Sequence, residues 1–314
     1  MIGAVDIGGT KIAVGMVDDS GRVLAQLESP TDAALGFPGA LTRIVKMLRH
    51  TAKAAKTEIS GIGIGCTGPV YPLTGTIGEV DFLPGWQGTN PVADLTREFQ
   101  VSVAMENDAD AAALGEAAWG SGKGKRSLVY VTIGTGIGGG IILDGKLYRG
   151  VEYSHPEIGH HVIDLSGPQC FCGAKGCWEV LARGPAMVEW LQKQPLPDSL
   201  RLIELDARKI CDFASKGVPI AVQAVDREAY YLGLGLANLI TLFSPDAIVL
   251  GGSVMKSADL FLQGIHRTIR QNCGLVPFTK TAVTLASLGP ESALIGAARV
   301  WHHRFGCVGD KRAS

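Results

Sequence analysis

The stretch Leu128-Val129-Tyr130-Val131-Thr132-Ile133-Gly134-Thr135-Gly136-Ile137-Gly138-Gly139-Gly140-Ile141-Ile142-Leu143-Asp144-Gly145 decides the fold. A β-rich run enters a glycine turn, an apolar run from Gly140 to Leu143 leaves it, and Asp144-Gly145-Lys146 turns the chain again into Leu147-Tyr148-Arg149. Gly134, Gly136 and Gly139 fit the G-x-G-x-x-G pattern of a dinucleotide site. That site needs a helix after the glycines, and here a strand and a turn follow. Gly140 to Lys146 also reads G-x-x-x-x-G-K, but Leu147 stands where a Walker A loop requires serine or threonine. What remains is a hairpin turn whose backbone N–H groups at Gly134, Thr135 and Gly136 can approach phosphate oxygens without side chains in the way.

The chain opens with the same grammar. Runs at 2–7 and 12–17 flank Gly8-Gly9-Thr10-Lys11, and Asp19-Ser20-Gly21-Arg22 turns into a third run at 23–27. The repetition predicts an internal duplication, each copy opening one lobe of an α/β protein. Asp6 ends the first run with a carboxylate suited to Mg2+, while Gly8, Gly9, Thr10 and Lys11 supply amides, a hydroxyl and a cation for terminal phosphates. Alone, the turn reads equally as a tight hairpin with a structural aspartate.

Between and beyond these turns, Leu41, Ile44, Val45 and Leu48 fall at helical spacing and predict a helix over about 38–56, followed by a strand at 61–66. A strand at 103–106 feeds an alanine-rich helix at about 109–118. Gly120-Ser121-Gly122-Lys123-Gly124-Lys125 marks the lobe boundary. Val222 to Phe243 steps by three and four as a long core helix. A strand at 247–250 ends at Gly251-Gly252, with Ser253 placed to begin a helix. The expected division is 1–119 plus a C-terminal helix at 291–314 in a smaller lobe, and 120–290 in a larger one.

Bulk properties narrow the function. The 314 residues are 46% hydrophobic and carry 29 Lys+Arg against 30 Asp+Glu, enough core for a two-lobed cleft enzyme and no cationic field for nucleic acid or anionic lipid. No basic leader precedes the first apolar run, Asp6 interrupts it, and Leu232 to Phe243 is too short to span a bilayer, so the expectation is a cytoplasmic protein with no membrane partner. Of seven cysteines, three crowd into Cys170-Phe171-Cys172-Gly173-Ala174-Lys175-Gly176-Cys177-Trp178-Glu179, and Cys66, Cys211, Cys273 and Cys307 are scattered. With His160, the cluster Cys170, Cys172 and Cys177 supplies one imidazole and three thiols, the set for a closed, structural tetrahedral Zn2+. His155 and His161 lie nearby, as surroundings or surface. Glu106-Asn107-Asp108-Ala109-Asp110 places an amide and a carboxylate where a strand gives way to a helix, although Asp108 also suits a helix N-cap.

Taken together, Asp6 to Lys11, Glu106 to Asp108, I-G-T-G-I-G-G-G-I with Gly150, Pro156, Glu157, Gly159 and His160, and C-x-C-G-x-x-G-C-x-E resemble the ROK family of sugar kinases and repressors, in the actin-like ATPase superfamily. The resemblance covers most of the chain. It implies a two-lobed actin-like (ribonuclease H-like) α/β fold with a duplicated βββαβαβα-type core, ATP with Mg2+ in the cleft, and phosphorylation of a hexose on its C6 hydroxyl. It assigns Asp108 as the general base and Gly68, Asn107, Asp108, Glu157, His160 and Glu179 to the sugar. His160 would also ligate zinc through its other nitrogen. Gly8 to Lys11 and Gly134 to Gly136 would hold phosphates, with Gly251 and Gly252 near the adenosine. A homodimer or homotetramer is the assembly implied. Family repressors carry an N-terminal helix-turn-helix, whereas here the phosphate strand starts at Ile2, which favours a kinase over a regulator. Ser154-His155-Pro156 looks like the fructokinase branch. The intact cysteine cluster and Leu83-Pro84-Gly85-Trp86 look glucokinase-like, so glucose is the expected hexose. Fructose, N-acetylmannosamine, N-acetylglucosamine or allose kinases, and a non-catalytic sugar sensor, stay open.

Overall fold

The computed structural model describes residues 1–196 and 203–306. Strands β1 (Ile2–Ile7), β2 (Lys11–Val17) and β3 (Val23–Pro30) form an antiparallel meander. Next come α1 (Gly36–Ala54), β4 (Gly61–Cys66), the short pair β5 (Val70–Tyr71) and β6 (Thr76–Ile77), α2 (Pro91–Phe99), β7 (Ser102–Asn107) and α3 (Asp108–Trp119). Strands β4 and β7 add in parallel, giving the order β3-β2-β1-β4-β7.

The chain then repeats this plan. Strands β8 (Leu128–Ile133), β9 (Ile137–Leu143) and β10 (Lys146–Leu147) precede α4 (Trp178–Ala182), α5 (Gly184–Leu191), α6 (Ala207–Ser215), α7 (Pro219–Phe243), β11 (Ala247–Gly251), α8 (Ala258–Asn272), β12 (Ala282–Leu285) and α9 (Ser292–Phe305). The second sheet runs β10-β9-β8-β11-β12, with β8 and β12 both parallel to β11. Two five-stranded sheets therefore share one design, the duplication that the paired glycine turns predict. Strand β9 follows directly on the second turn, which removes the helix a dinucleotide site would need.

Residue contacts divide the chain into two compact units. Met1–Arg126, Gly140–Pro156 and the chain from Ala286 form the first; Ser127–Gly139 and Glu157–Leu285 form the second. This differs from the division expected from sequence, which kept all of 120–290 together. Gly140–Pro156 packs with the first unit because Gly140 lies so close to α3 that a Cβ there would stand 2.6 Å from that of Ala113. In addition, Arg149 and His155 both reach Asp110 on that helix. Tyr148 and Arg149 are consequently not strand, and β10 is only two residues long.

In the first unit, alternation along β1 sends Val5 and Ile7 into a core with Ile44 and Leu48 of α1, and Ile2 and Ala4 against Leu294, Ala297 and Ala298 of α9. Asp6 has the parity of Ile2 and Ala4. Helix α3 is buried over Ala109–Glu116, because its small side chains allow neighbours on every side. A Cβ on Gly296 of α9 would come within 2.5 Å of the Ala111 carbonyl, so close backbone approach holds α3 in place. In the second unit Trp178 is fully buried beside α7 and its Nε1 donates to the Tyr231 carbonyl at 3.0 Å. Cys66, Cys211 and Cys273 are buried free thiols, and Cys307, like the end of the expected 291–314 helix, lies outside the described residues. No helix among the described residues is long and apolar enough to cross a membrane.

Candidate active site

Strands β1, β4 and β7 run parallel and in register, pairing Asp6 with Gly65 and Gly65 with Glu106, so their carboxyl ends emerge together. Open parallel sheets bind ligands at such ends. A Cβ on Gly65 would be 3.8 Å from both Asp6 Oδ1 and the Asp108 Cα, so a glycine between the two acids leaves space where both can be reached. Burial, helped by the Asp108 charge, pushes Asp6 up to about 7. Solvent reaches Asp108, yet the protein crowded around it raises its pKa as well, against donation from the Ala109 N–H. The helix N-cap is Asn107, not Asp108: Asn107 Oδ1 accepts from Ala109 N at 2.9 Å, with Asp108 Oδ1 on the same donor at 2.8 Å. The Asn107 amide also donates to the Gly68 carbonyl at 3.4 Å.

The first glycine turn is braced from below. Gly8 N donates to the Lys11 carbonyl at 2.9 Å, and the hydroxyl of buried Thr31 donates to the Gly8 carbonyl at 2.6 Å. Thr10 and Lys11 are exposed, and Lys11 Nζ pairs with Glu28 at 2.8 Å, a partner it must exchange before it can serve a phosphate. Behind β7 lies a cluster the sequence reading did not find. Arg149 binds Glu106 through Nη2 and Asp110 Oδ2 through Nη1 at 2.8 Å, and His155 Nδ1 lies 2.7 Å from the same Asp110 oxygen. These partners are 39 to 45 residues apart in sequence, so no local pattern announces them.

In the second unit, the turn Gly134–Gly136 closes through Gly134 N to the Gly136 carbonyl at 2.9 Å, and Gly184 N donates to the Gly134 carbonyl at 2.8 Å. Glu179 Oε2 accepts from Ile137 N at 2.8 Å, and a Cβ on Gly136 would sit 2.5 Å from that oxygen. Beside the turn, Gly134, Thr135, Gly184, Pro185, Ser253 and Val254 help to line a cavity of about 450 Å³. Gly252, next to Ser253, sits at φ 90, and any side chain there would strike the Ile133 backbone at 2.3 Å. Ser253 does begin a helical turn, Val254–Ser257. Glu157 is exposed just before the short turn Ile158–His160.

His160, Cys170, Cys172 and Cys177 bring their ligand atoms within 4.8 Å of one another. His160 Nδ1 is 3.5 Å from Cys170 Sγ, and Cys172 Sγ is 3.5 Å from Cys177 Sγ. Metal–ligand bonds of about 2.3 Å to sulfur and about 2.0 Å to nitrogen set tetrahedron edges close to these. The donor set thus fits zinc, and with Nδ1 on that side the other nitrogen, Nε2, faces Glu179 Oε1 at 4.0 Å.

The family model described as the ROK family matches residues 2–304. This chain belongs to the ROK family. The ROK chain is 34% identical over 310 residues to a glucokinase of Streptomyces coelicolor, covering 94% of this chain and 95% of that protein. A ROK family glucokinase from Streptomyces griseus, solved in complex with glucose and AMPPNP, is 32% identical and superposes with a TM-score of 0.79 over 95% of this chain and 97% of that one. A xylose repressor of Bacillus spizizenii is 30% identical over 265 residues, 83% of this chain and 67% of that protein. The paired sheets are those of the actin-like ATPase fold.

Proposed function

We propose that this protein is an ATP-dependent sugar kinase that transfers the γ-phosphoryl group of ATP to the C6 hydroxyl of a hexose, with glucose the preferred acceptor. The observation that carries the reading is Asp108, a solvent-reached carboxylate at the carboxyl ends of β1, β4 and β7, with Asp6 across Gly65 from it. Phosphoryl transfer asks a protein for alignment, charge neutralisation and one base for the alcohol proton. Asp108 is assigned as that base, contributing about 10²- to 10⁴-fold.

Asp6 would hold Mg2+, which when bound neutralises phosphate charge. The amides of Gly8–Lys11 and Gly134–Gly136 are assigned to the phosphates, and Gly251 and Gly252, with the cavity beside Gly134 and Ser253, to the nucleoside. Gly68, Asn107, Glu157, His160 and Glu179 are assigned to sugar hydroxyls. The Cys170–Cys172–Cys177–His160 set would hold zinc and fix the His160 ring.

A coupled ADP-release assay with ATP over glucose, fructose, N-acetylmannosamine, N-acetylglucosamine and allose tests this reading, and the highest kcat/KM is expected for glucose. ADP release with none of these sugars would reject it. The match to a xylose repressor supports a second reading, a non-catalytic sugar sensor, which predicts sugar-dependent thermal stabilisation without ADP.

A further inference from the structure

Two buried carboxylates and one guanidinium do not balance. Glu106 and Asp110 share Arg149, and the side chain of Asp110 is only 1% exposed, with those of Arg149 and His155 at 11%. Buried charge persists where it is paired, and the missing second cation is supplied if the His155 ring carries both protons. The surroundings hold that ring firmly. Arg149 and His155 bracket residues 150–154 and close on one Asp110 oxygen, while Glu152 and Tyr153 between them sit at φ 53 and 62, a strained backbone that only fixed ends sustain.

Asp110 lies in the same first helical turn as Asp108; its own charge adds to the rise that burial imposes on Asp108, and the His155 charge opposes that rise. We infer that His155, gripped by Asp110, is a positioning residue for the proposed base: a fixed imidazolium that keeps the Asp108 carboxylate ready to accept a proton. This deepens the kinase reading and rests on it. Charged and titratable groups whose fields meet in this cluster include Asp108 and Asp110 from α3, Glu106 from β7, Arg149 after β10, and His303 and Arg304 from α9. Burial pushes Glu106 up to about 7, so the competing way to balance the site is a protonated Glu106 beside a neutral His155.

The test uses the full chain with His155→Gln, which keeps a hydrogen bond to Asp110 without the charge, His155→Lys, which restores a cation, and Asp110→Asn. Histidine ring signals by NMR report protonation, calorimetry reports sugar affinity, and ADP release reports kcat. In the wild type the His155 ring should stay doubly protonated at pH values where ordinary histidines are neutral, and Asp110→Asn should release that proton. His155→Gln should lose about tenfold or more in kcat, the scale on which an opposite charge favours an ionised acid, with sugar affinity unchanged. His155→Lys should recover part of the loss. A neutral His155 ring in the wild type overturns the inference, as does a His155→Gln variant with wild-type kcat or one whose sugar affinity falls in step with kcat. Absence of sugar-dependent ADP release in the wild type would instead reject the kinase reading, while the ring signal still decides the charge.

Discussion

Replacing Asp6 with asparagine should make the protein more stable at alkaline pH and leave it unchanged in acid. In the fold burial first, and then the nearby Asp108 charge, push Asp6 up from 3.8 to about 7. Between those values the folded state holds a proton that the unfolded chain has released, so stability falls by about 1.4 kcal/mol per pH unit as pH rises, about 4 kcal/mol in all, and stays lost above pH 7. Part of the push belongs to the Asp6–Asp108 pair and redistributes once one member is neutral, which sets the difference between variants at roughly 2–4 kcal/mol. Glu106, also raised to about 7, adds its own slope to both proteins and cancels in the comparison. Thermal melts without divalent ions from pH 4 to 8.5 should therefore give curves that coincide near pH 4, diverge up to pH 7 and run parallel above it. The asparagine variant should melt roughly 3–6 °C higher at pH 8. Adding Mg2+ at pH 8 should raise the wild type alone. Parallel curves over the whole range, or a variant that melts lower at pH 8, would refute both the buried charge and its assignment to the ion.

Gly252→Ala forces a Cβ to within 2.3 Å of the Ile133 carbonyl oxygen at a backbone φ of 90, so it should cost about 1–3 kcal/mol or more and lower the melting temperature. It should also weaken ATP binding more than sugar binding, as calorimetry with each ligand alone would show. Chelating zinc, or changing Cys172 to Ser, should speed hydrogen exchange in residues 157–179 and weaken sugar binding together, because an ion of this type contributes on the order of 10 kcal/mol to ordering its loop. Metal analysis of protein purified without chelators should find zinc, and finding none would remove the ligand assignment. Glu179→Gln should loosen the second glycine turn, since Glu179 Oε2 takes the Ile137 N–H at 2.8 Å, and a raised KM for ATP would report it.

Much of this architecture is written locally. A run, a glycine turn and a second run specify a hairpin within about fifteen residues, so β1–β2 and β8–β9 could be read directly, and the duplicated sheet followed from finding the pattern twice. The cysteine cluster is legible for the same reason: ligand type and short spacing constrain a loop whatever surrounds it. Asp108 was found at its strand–helix junction, but its neighbour Asn107 proved to be the cap, since both side chains can reach the same N–H and only geometry chooses between them.

What stayed hidden depends on distant pairing. Nothing near Arg149 shows that it turns away from β10 to meet Glu106 and Asp110, and this pairing carries Gly140–Pro156 into the first unit. His155 looked incidental in sequence and is clasped by a buried acid. Lys11 pairs with exposed Glu28, and Thr31 supports the Gly8 turn from 23 residues away. Side-chain pairing of this kind leaves no periodic trace, because each partner satisfies only its own local rules.

The most direct measurement concerns the base itself. Asp108→Asn, assayed for ADP release at saturating sugar and ATP and for sugar affinity by calorimetry, should lose about 10²- to 10⁴-fold in kcat with sugar binding largely intact. Near-normal turnover in that variant would contradict the assignment of Asp108 and with it the proposed chemistry.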